Sequence, residues 1–141
     1  MKKRVDLPEK KYEGYIFDLD GTLVDSMPLH YRAWREALAR AGAPDHVFRT
    51  DEFYSCGGKS ANDVVRFLNE RYGMHMDAES TAADKRRIYL EMLEKEGMQP
   101  IQEVVEFVHS LGDAPKAIVT GSAMPGASRT LAAAGLSGLF D

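Results

Sequence analysis

Asp18 and Asp20 are two carboxylates two residues apart. They sit directly after the apolar run Tyr15-Ile16-Phe17 and just before Gly21-Thr22. Successive side chains of a strand point to opposite faces, but where a strand ends the chain turns, and both carboxylates can face one pocket. One can then attack phosphorus, because aspartate is a covalent nucleophile toward phosphoryl groups, while the other manages a proton. Asp18 is the candidate nucleophile and Asp20 the candidate general acid/base. A plainer alternative is an aspartate that caps a turn; the pairing of Asp18 with Asp20 and Gly21 favours chemistry. Gly21 frees the backbone to turn tightly, and Thr22 supports the loop.

A second apolar segment, Ile118-Val119, ends in Thr120-Gly121-Ser122. Met124-Pro125 follows, and proline suits a first helical turn. A strand running into a helix offers free backbone N–H groups to an anion. The Thr120 hydroxyl, with backbone donors from Gly121 and Ser122, is therefore a candidate phosphate cradle; a routine strand–helix turn with a capping serine is the alternative.

These segments need elements to hold them. Gly14 to Asp18 and Lys116 to Thr120 read as short strands. Between them lie helical patterns. The first opens at Met27-Pro28, carries Leu29, Ala33, Trp34, Ala37 and Leu38 at helical spacing, and stops at Gly42 and Pro44. Asp51 to Tyr54 reads as a strand-free stretch, a short helix at most. Ser60 or Asn62 caps the next helix, which ends at Gly73. Residues 78–96 form a charged amphipathic helix with Ile88, Tyr89, Met92 and Leu93 inward and Lys85-Arg86-Arg87 on a solvated face. Another helix covers 101–111, and one runs from Met124 to about Ala134. Leu139-Phe140 reads as the approach to a further strand. Strand–helix–strand alternation implies a parallel α/β sheet, interrupted by a strandless block over 27–98.

Composition is that of an ordinary folded chain: 141 residues, 44% hydrophobic and 28% charged. A net charge of -4 gives no basic field for nucleic acid. No apolar run nears the roughly 20 residues that span a bilayer. Met1-Lys2-Lys3-Arg4 is basic but lacks an apolar segment behind it, so residues 1–11 read as a solvated arm. Cys56 is the one cysteine, which fits a cytoplasmic location; it reads as an inert small residue. His46, His75 and His109 show no ligand spacing, and the methionines read as packing filler.

Asp18-Leu19-Asp20-Gly21-Thr22 resembles the first signature of the haloacid dehalogenase-like hydrolase superfamily, and Ile118-Val119-Thr120-Gly121-Ser122 resembles its second. Asp25-Ser26, His30 and Ala33-Trp34-Arg35 are similar to the β-phosphoglucomutase-like and sugar-phosphate phosphatase branch, and the text around both signatures looks most like its fructose-1-phosphate phosphatase type. The resemblance implies a Rossmann-like parallel core over 1–26 and 99–141 with an inserted α-helical cap over 27–98. It implies Mg²⁺, held by Asp18 and by the Asp20 backbone carbonyl, and a small phosphorylated sugar as partner. It places His30 near the cap–core junction, touching substrate, unless it is simply a half-buried helix histidine. It makes Gly57-Gly58-Lys59-Ser60 a specificity loop in which Lys59 either reaches the substrate or remains an exposed lysine. Trp34 reads as packing.

The same resemblance places a lysine and further metal carboxylates after a later strand, and no segment here matches them. The expectation is therefore a truncated core, catalytically incomplete, with Ile16, Phe17, Ile118 and Val119 uncovered: a monomer at full length, capable of self-association when short. A sugar-phosphate mutase is the first alternative activity, and a non-catalytic binder of phosphorylated ligands is the second.

Overall fold

The computed structural model describes residues 5–140; the basic start Met1-Lys2-Lys3-Arg4 and the terminal Asp141 lie outside them. Two strands, β1 (Tyr15–Phe17) and β2 (Lys116–Ile118), pair in parallel, with Tyr15 opposite Lys116 and Phe17 opposite Ile118. Val119 N–H extends the ladder by donating to Phe17 O at 2.9 Å. β1 is one residue shorter at each end than the sequence reading of Gly14 to Asp18, and β2 starts at Lys116 as read but stops two residues before Thr120.

Between the strands come five helices: α1 (Met27–Arg40), α2 (Thr50–Ser55), α3 (Ala61–Tyr72), α4 (Ala78–Glu96) and α5 (Gln102–Ser110); α6 (Met124–Ala133) follows β2. The helix ends follow local chemistry. The Ser60 hydroxyl accepts from Asp63 N–H at the start of α3, and the Asp77 carboxylate accepts from Ser80 N–H at the start of α4. Gly73 closes α3 at φ 63°, a left-handed conformation that costs a glycine little.

Two apolar clusters organise the chain. Trp34, Leu38, Phe48, Phe53, Val64 and Leu68 knit α1, α2 and α3. Phe17, Leu19, Leu23, Ala33, Ile88, Leu93 and Val108 join β1, its following loop, α1, α4 and α5. Helix α1 thus gives one face to each cluster. Residues 23–25 and 99–101, which enter and leave the helical block, are stitched together: Asp25 N–H donates to Gln99 O at 2.9 Å and Ile101 N–H to Leu23 O at 2.8 Å.

The sheet is only partly bare. Ile16 is 76% exposed and Val119 61%, as anticipated, but Phe17 is buried. The Phe107 and Phe140 rings cover it, with centroids 6.2 and 5.7 Å away. Phe140, read as leading into a strand, packs its ring against Phe17 of the first one. The solvated arm is also tethered at Val5, whose N–H donates to a Glu103 carboxylate oxygen at 3.2 Å.

Candidate active site

The loop after β1 is held by its own apolar residues. Leu19, Leu23 and Val24 are fully buried, and Gly21 N–H donates to Val24 O at 2.8 Å while Leu23 N–H donates to Leu19 O at 3.0 Å. Leu19 is pinned inward, and Asp18 and Asp20 on either side of it both line one cavity, as the two-residue period allows. Gly21, at φ 75°, makes the turn behind them.

Asp18, Asp20, His30, Lys59, Thr120, Gly121 and Ser122, all singled out in the sequence, line one cavity of about 470 Å³. Lys85, Arg86 and Tyr89 of α4 line it too. That size matches an ordinary small-molecule site.

Asp20 is the hub. Its Oδ1 accepts from Ser26 Oγ at 2.5 Å and lies 2.8 Å from His30 Nε2, and its Oδ2 accepts from Ser122 Oγ at 2.8 Å. His30 Nδ1 in turn lies 2.7 Å from Lys85 Nζ. A carboxylate can only accept and an ammonium can only donate. Nε2 therefore carries the imidazole proton and donates to Asp20, while Nδ1 accepts from Lys85. The result is a buried line of charge: carboxylate, neutral imidazole, ammonium. The His30 ring also stacks on Tyr89, with centroids 4.0 Å apart and planes 1° from parallel.

The electrostatics follow from that line. Burial works to raise the Asp20 pKa, but the donors His30, Ser26 and Ser122 prevail and hold the carboxyl well below the usual carboxylate range. Burial pushes His30 below the ordinary histidine value, and the Lys85 charge pushes the same way. Burial lowers Lys85 to about 8, against the pull of Asp20. Burial pushes the Tyr89 phenol up to about 12. Asp18 differs from Asp20. It is exposed, and its nearest described donor, the Thr22 hydroxyl, is 3.5 Å away, at the limit of a hydrogen bond.

On the facing side, Thr120 Oγ1 accepts from Ser122 N–H at 3.1 Å. Both Ser122 donors are thus engaged inside the protein, while Thr120 and Gly121 line the cavity beside it. A Cβ on Gly121 would come within 3.1 Å of Gly58 O. The 57–60 loop therefore lies directly against the 120–122 loop, and glycine permits that approach. Lys59 is exposed on this loop, its Nζ 5.8 Å from the Phe67 ring centre. Cys56 is buried, and burial pushes its thiol pKa up, as suits an inert residue.

Residues 15–141 match the family model described as haloacid dehalogenase-like hydrolase. The chain belongs to the haloacid dehalogenase-like hydrolase family. It is 31% identical over 133 residues to the fructose-1-phosphate phosphatase YqaB of Escherichia coli, covering 94% of this chain and 68% of that protein. It is 33% identical over 127 residues to hexitol phosphatase A of the same organism, covering 88% of this chain and 55% of the relative. A hydrolase from Pseudomonas syringae superposes with a TM-score of 0.74 at 27% identity, over 86% of this chain and 55% of its own. This chain therefore spans between about half and two thirds of the length of these relatives.

Membership in the haloacid dehalogenase-like hydrolases implies Mg²⁺, a hard cation that takes oxygen ligands and commonly uses one or two carboxylates with water and substrate phosphate. The Asp18 carboxylate fits, being exposed to the cavity and nearly free of donors. The Asp20 carboxylate does not, because three protein donors already occupy it; only its backbone carbonyl remains as a ligand. Among the described residues no three His, Cys, Asp or Glu side chains cluster as a metal site, so the donor set fits an ion shared with substrate and water.

Lys85 corrects the sequence reading. It was placed on a solvated face with Arg86 and Arg87, yet it is only 8% exposed. A signal existed. Positions 81, 82, 85, 88 and 89 share one face of α4, and the other four are Thr81, Ala82, Ile88 and Tyr89, all buried. The run of three cations concealed a helical position that points inward.

Proposed function

We propose that this protein is a Mg²⁺-dependent phosphatase of small sugar phosphates, with Asp18 as nucleophile, Asp20 as general acid/base and residues 27–98 as a cap over the site. One observation carries this reading: Asp20 is fixed by three donors, Ser26 and His30 at the start of α1 and Ser122 after β2, while Asp18, two residues away, opens its carboxylate to the same cavity. The sugar-phosphate class is supported by the names of the relatives, a fructose-1-phosphate phosphatase and a hexitol phosphatase.

An Asp18 oxygen attacks phosphorus, and the bond from phosphorus to the sugar oxygen breaks. The leaving oxygen takes a proton from the Asp20 carboxyl. Asp20 is set up as a base before substrate arrives; the negative phosphate brought beside it raises its pKa and lets it carry that proton. In the second half Asp20 accepts a proton from water as the water oxygen attacks the aspartyl-phosphate, which releases phosphate and restores the Asp18 carboxylate. Thr120 and Gly121 hold the phosphoryl oxygens, and His30 and Lys85 keep Asp20 aimed. Bound at Asp18 and the Asp20 carbonyl, Mg²⁺ would shield the nucleophile from the phosphate charge. Lys59 stands where it can reach the sugar.

The test is release of inorganic phosphate from fructose-1-phosphate and a panel of hexose and hexitol phosphates, with and without Mg²⁺. The proposal expects metal-dependent release. Conversion to an isomeric sugar phosphate without release would replace the phosphatase by a mutase. Folded protein that carries the later lysine and metal carboxylates as well and still releases nothing from any substrate would leave a binder of phosphorylated ligands and overturn the reading.

A further inference from the structure

The chemistry above makes no use of a second buried polar pair. Tyr89 on α4 and Thr130 on α6 are both buried, and their hydroxyl oxygens lie 2.7 Å apart. This bond joins a helix of the strandless block to the helix that follows Thr120-Gly121-Ser122. Tyr89 is also the residue on which the His30 ring stacks. A parallel stack fixes the plane of a ring but lets it slide, whereas a hydrogen bond at the far end of the tyrosine removes that freedom.

We propose that Tyr89 and Thr130 are positioning residues: their hydroxyl bond holds the Tyr89 ring flat against His30 and so keeps His30 Nε2 aimed at Asp20. The inference rests on the reading of Asp20 as the general acid/base. Asp20 and Lys85 each grip one His30 nitrogen at an edge, and both sit on rotatable side chains, whereas the Tyr89 ring is a wall against its face. Tyr89 serves as that wall without titrating, since burial keeps its phenol protonated. The bond also makes the aim of His30 depend on α4 and α6 being together, coupling proton transfer to the seating of the helical block on the second strand's helix.

The test uses Tyr89→Phe, Thr130→Val, the double variant and Thr130→Ser. Tyr89→Phe keeps the ring, Thr130→Val keeps the shape, and Thr130→Ser keeps the hydroxyl. Two readouts are taken: the His30 ring Nε2–H signal in long-range ¹H–¹⁵N spectra at one fixed pH, and kcat and KM for phosphate release. A net intramolecular hydrogen bond corresponds to a kcat loss of about fivefold to tenfold, with KM changing by less than about twofold. The Phe and Val variants should each lose the protected ring signal and show this loss, the double variant should be no worse than either, and Thr130→Ser should restore both readouts. An unchanged ring signal in folded Tyr89→Phe and Thr130→Val, or kcat and KM shifting together, would overturn the proposal. If the parent protein turns over no substrate, the phosphatase reading fails, and the ring signal still decides this one.

Discussion

Lys85 Nζ lies 2.7 Å from His30 Nδ1, so a buried ammonium and the Asp20 carboxylate are joined through one neutral imidazole. Neither charge meets the other directly, and each would be expensive to bury alone. The imidazole satisfies both with one donor and one acceptor. Removing the middle member should therefore disturb both ends.

His30→Gln should lower kcat by about a hundredfold, the usual scale of a general acid/base contribution. It should also change the acid response. Asp20 and His30 both have folded pKa values below their unfolded ones, so the folded state binds fewer protons, and their stabilisation is present above the unfolded values and lost on acidification. The stability advantage of the parent over His30→Gln should shrink as the pH falls from neutral into the acid range. Chemical denaturation across that range checks it; a constant gap would contradict the assigned network.

Lys85→Met should act at the other end of the pH scale. The folded pKa of about 8 lies below the ordinary lysine value of 10.5, so between the two the unfolded chain binds more protons and this group makes stability rise with pH. Relative to Lys85→Met, the parent should gain about 2 kcal/mol between neutral pH and the region of pH 10, since one pKa unit is worth about 1.4 kcal/mol. Parallel stability curves for the two proteins would show that Lys85 is solvated after all. Activity should fall with the substitution, because His30 loses the donor that holds its ring.

Gly121→Ala tests the contact between the two loops. The added methyl would stand 3.1 Å from Gly58 O, closer than ordinary van der Waals contact, and the exposed 57–60 loop is the part that can yield. We expect amide hydrogen exchange at residues 57–60 to accelerate and KM to rise severalfold with a smaller change in kcat. Unaltered exchange and KM would mean that the loops do not close on substrate together.

Local chemistry made much of this legible in sequence. Helix α4 spans the 78–96 read from the sequence, and the structure shows Asp77 capping one end and Gly97 stopping the other. Asp18, Asp20, Thr120, Gly121 and Ser122 could be named because short apolar strands leave their terminal polar residues at one sheet edge, and both strands are parallel; His30 and Lys59 could be named only through the family resemblance of the segments around them. Ser122 as a partner of Asp20 could not be derived, since it lies 102 positions away and the bond exists only once β1 and β2 pair. Lys85 was hidden by charge: composition assigned it to solvent, while helical period assigned it to the core. Period was the better guide because a buried lysine is tolerated where a partner such as His30 waits. The covering of Phe17 by Phe107 and Phe140 is likewise a tertiary choice that no local pattern encodes.

The most direct test of the account is covalent. The protein is mixed with fructose-1-phosphate and Mg²⁺, quenched in acid within a turnover, digested and examined by mass spectrometry. The account predicts one added phosphoryl group on the peptide that carries Asp18, absent from Asp18→Asn, which should also release no phosphate. Phosphate release by Asp18→Asn, or a phosphoryl group on any other residue, would contradict Asp18 as the nucleophile.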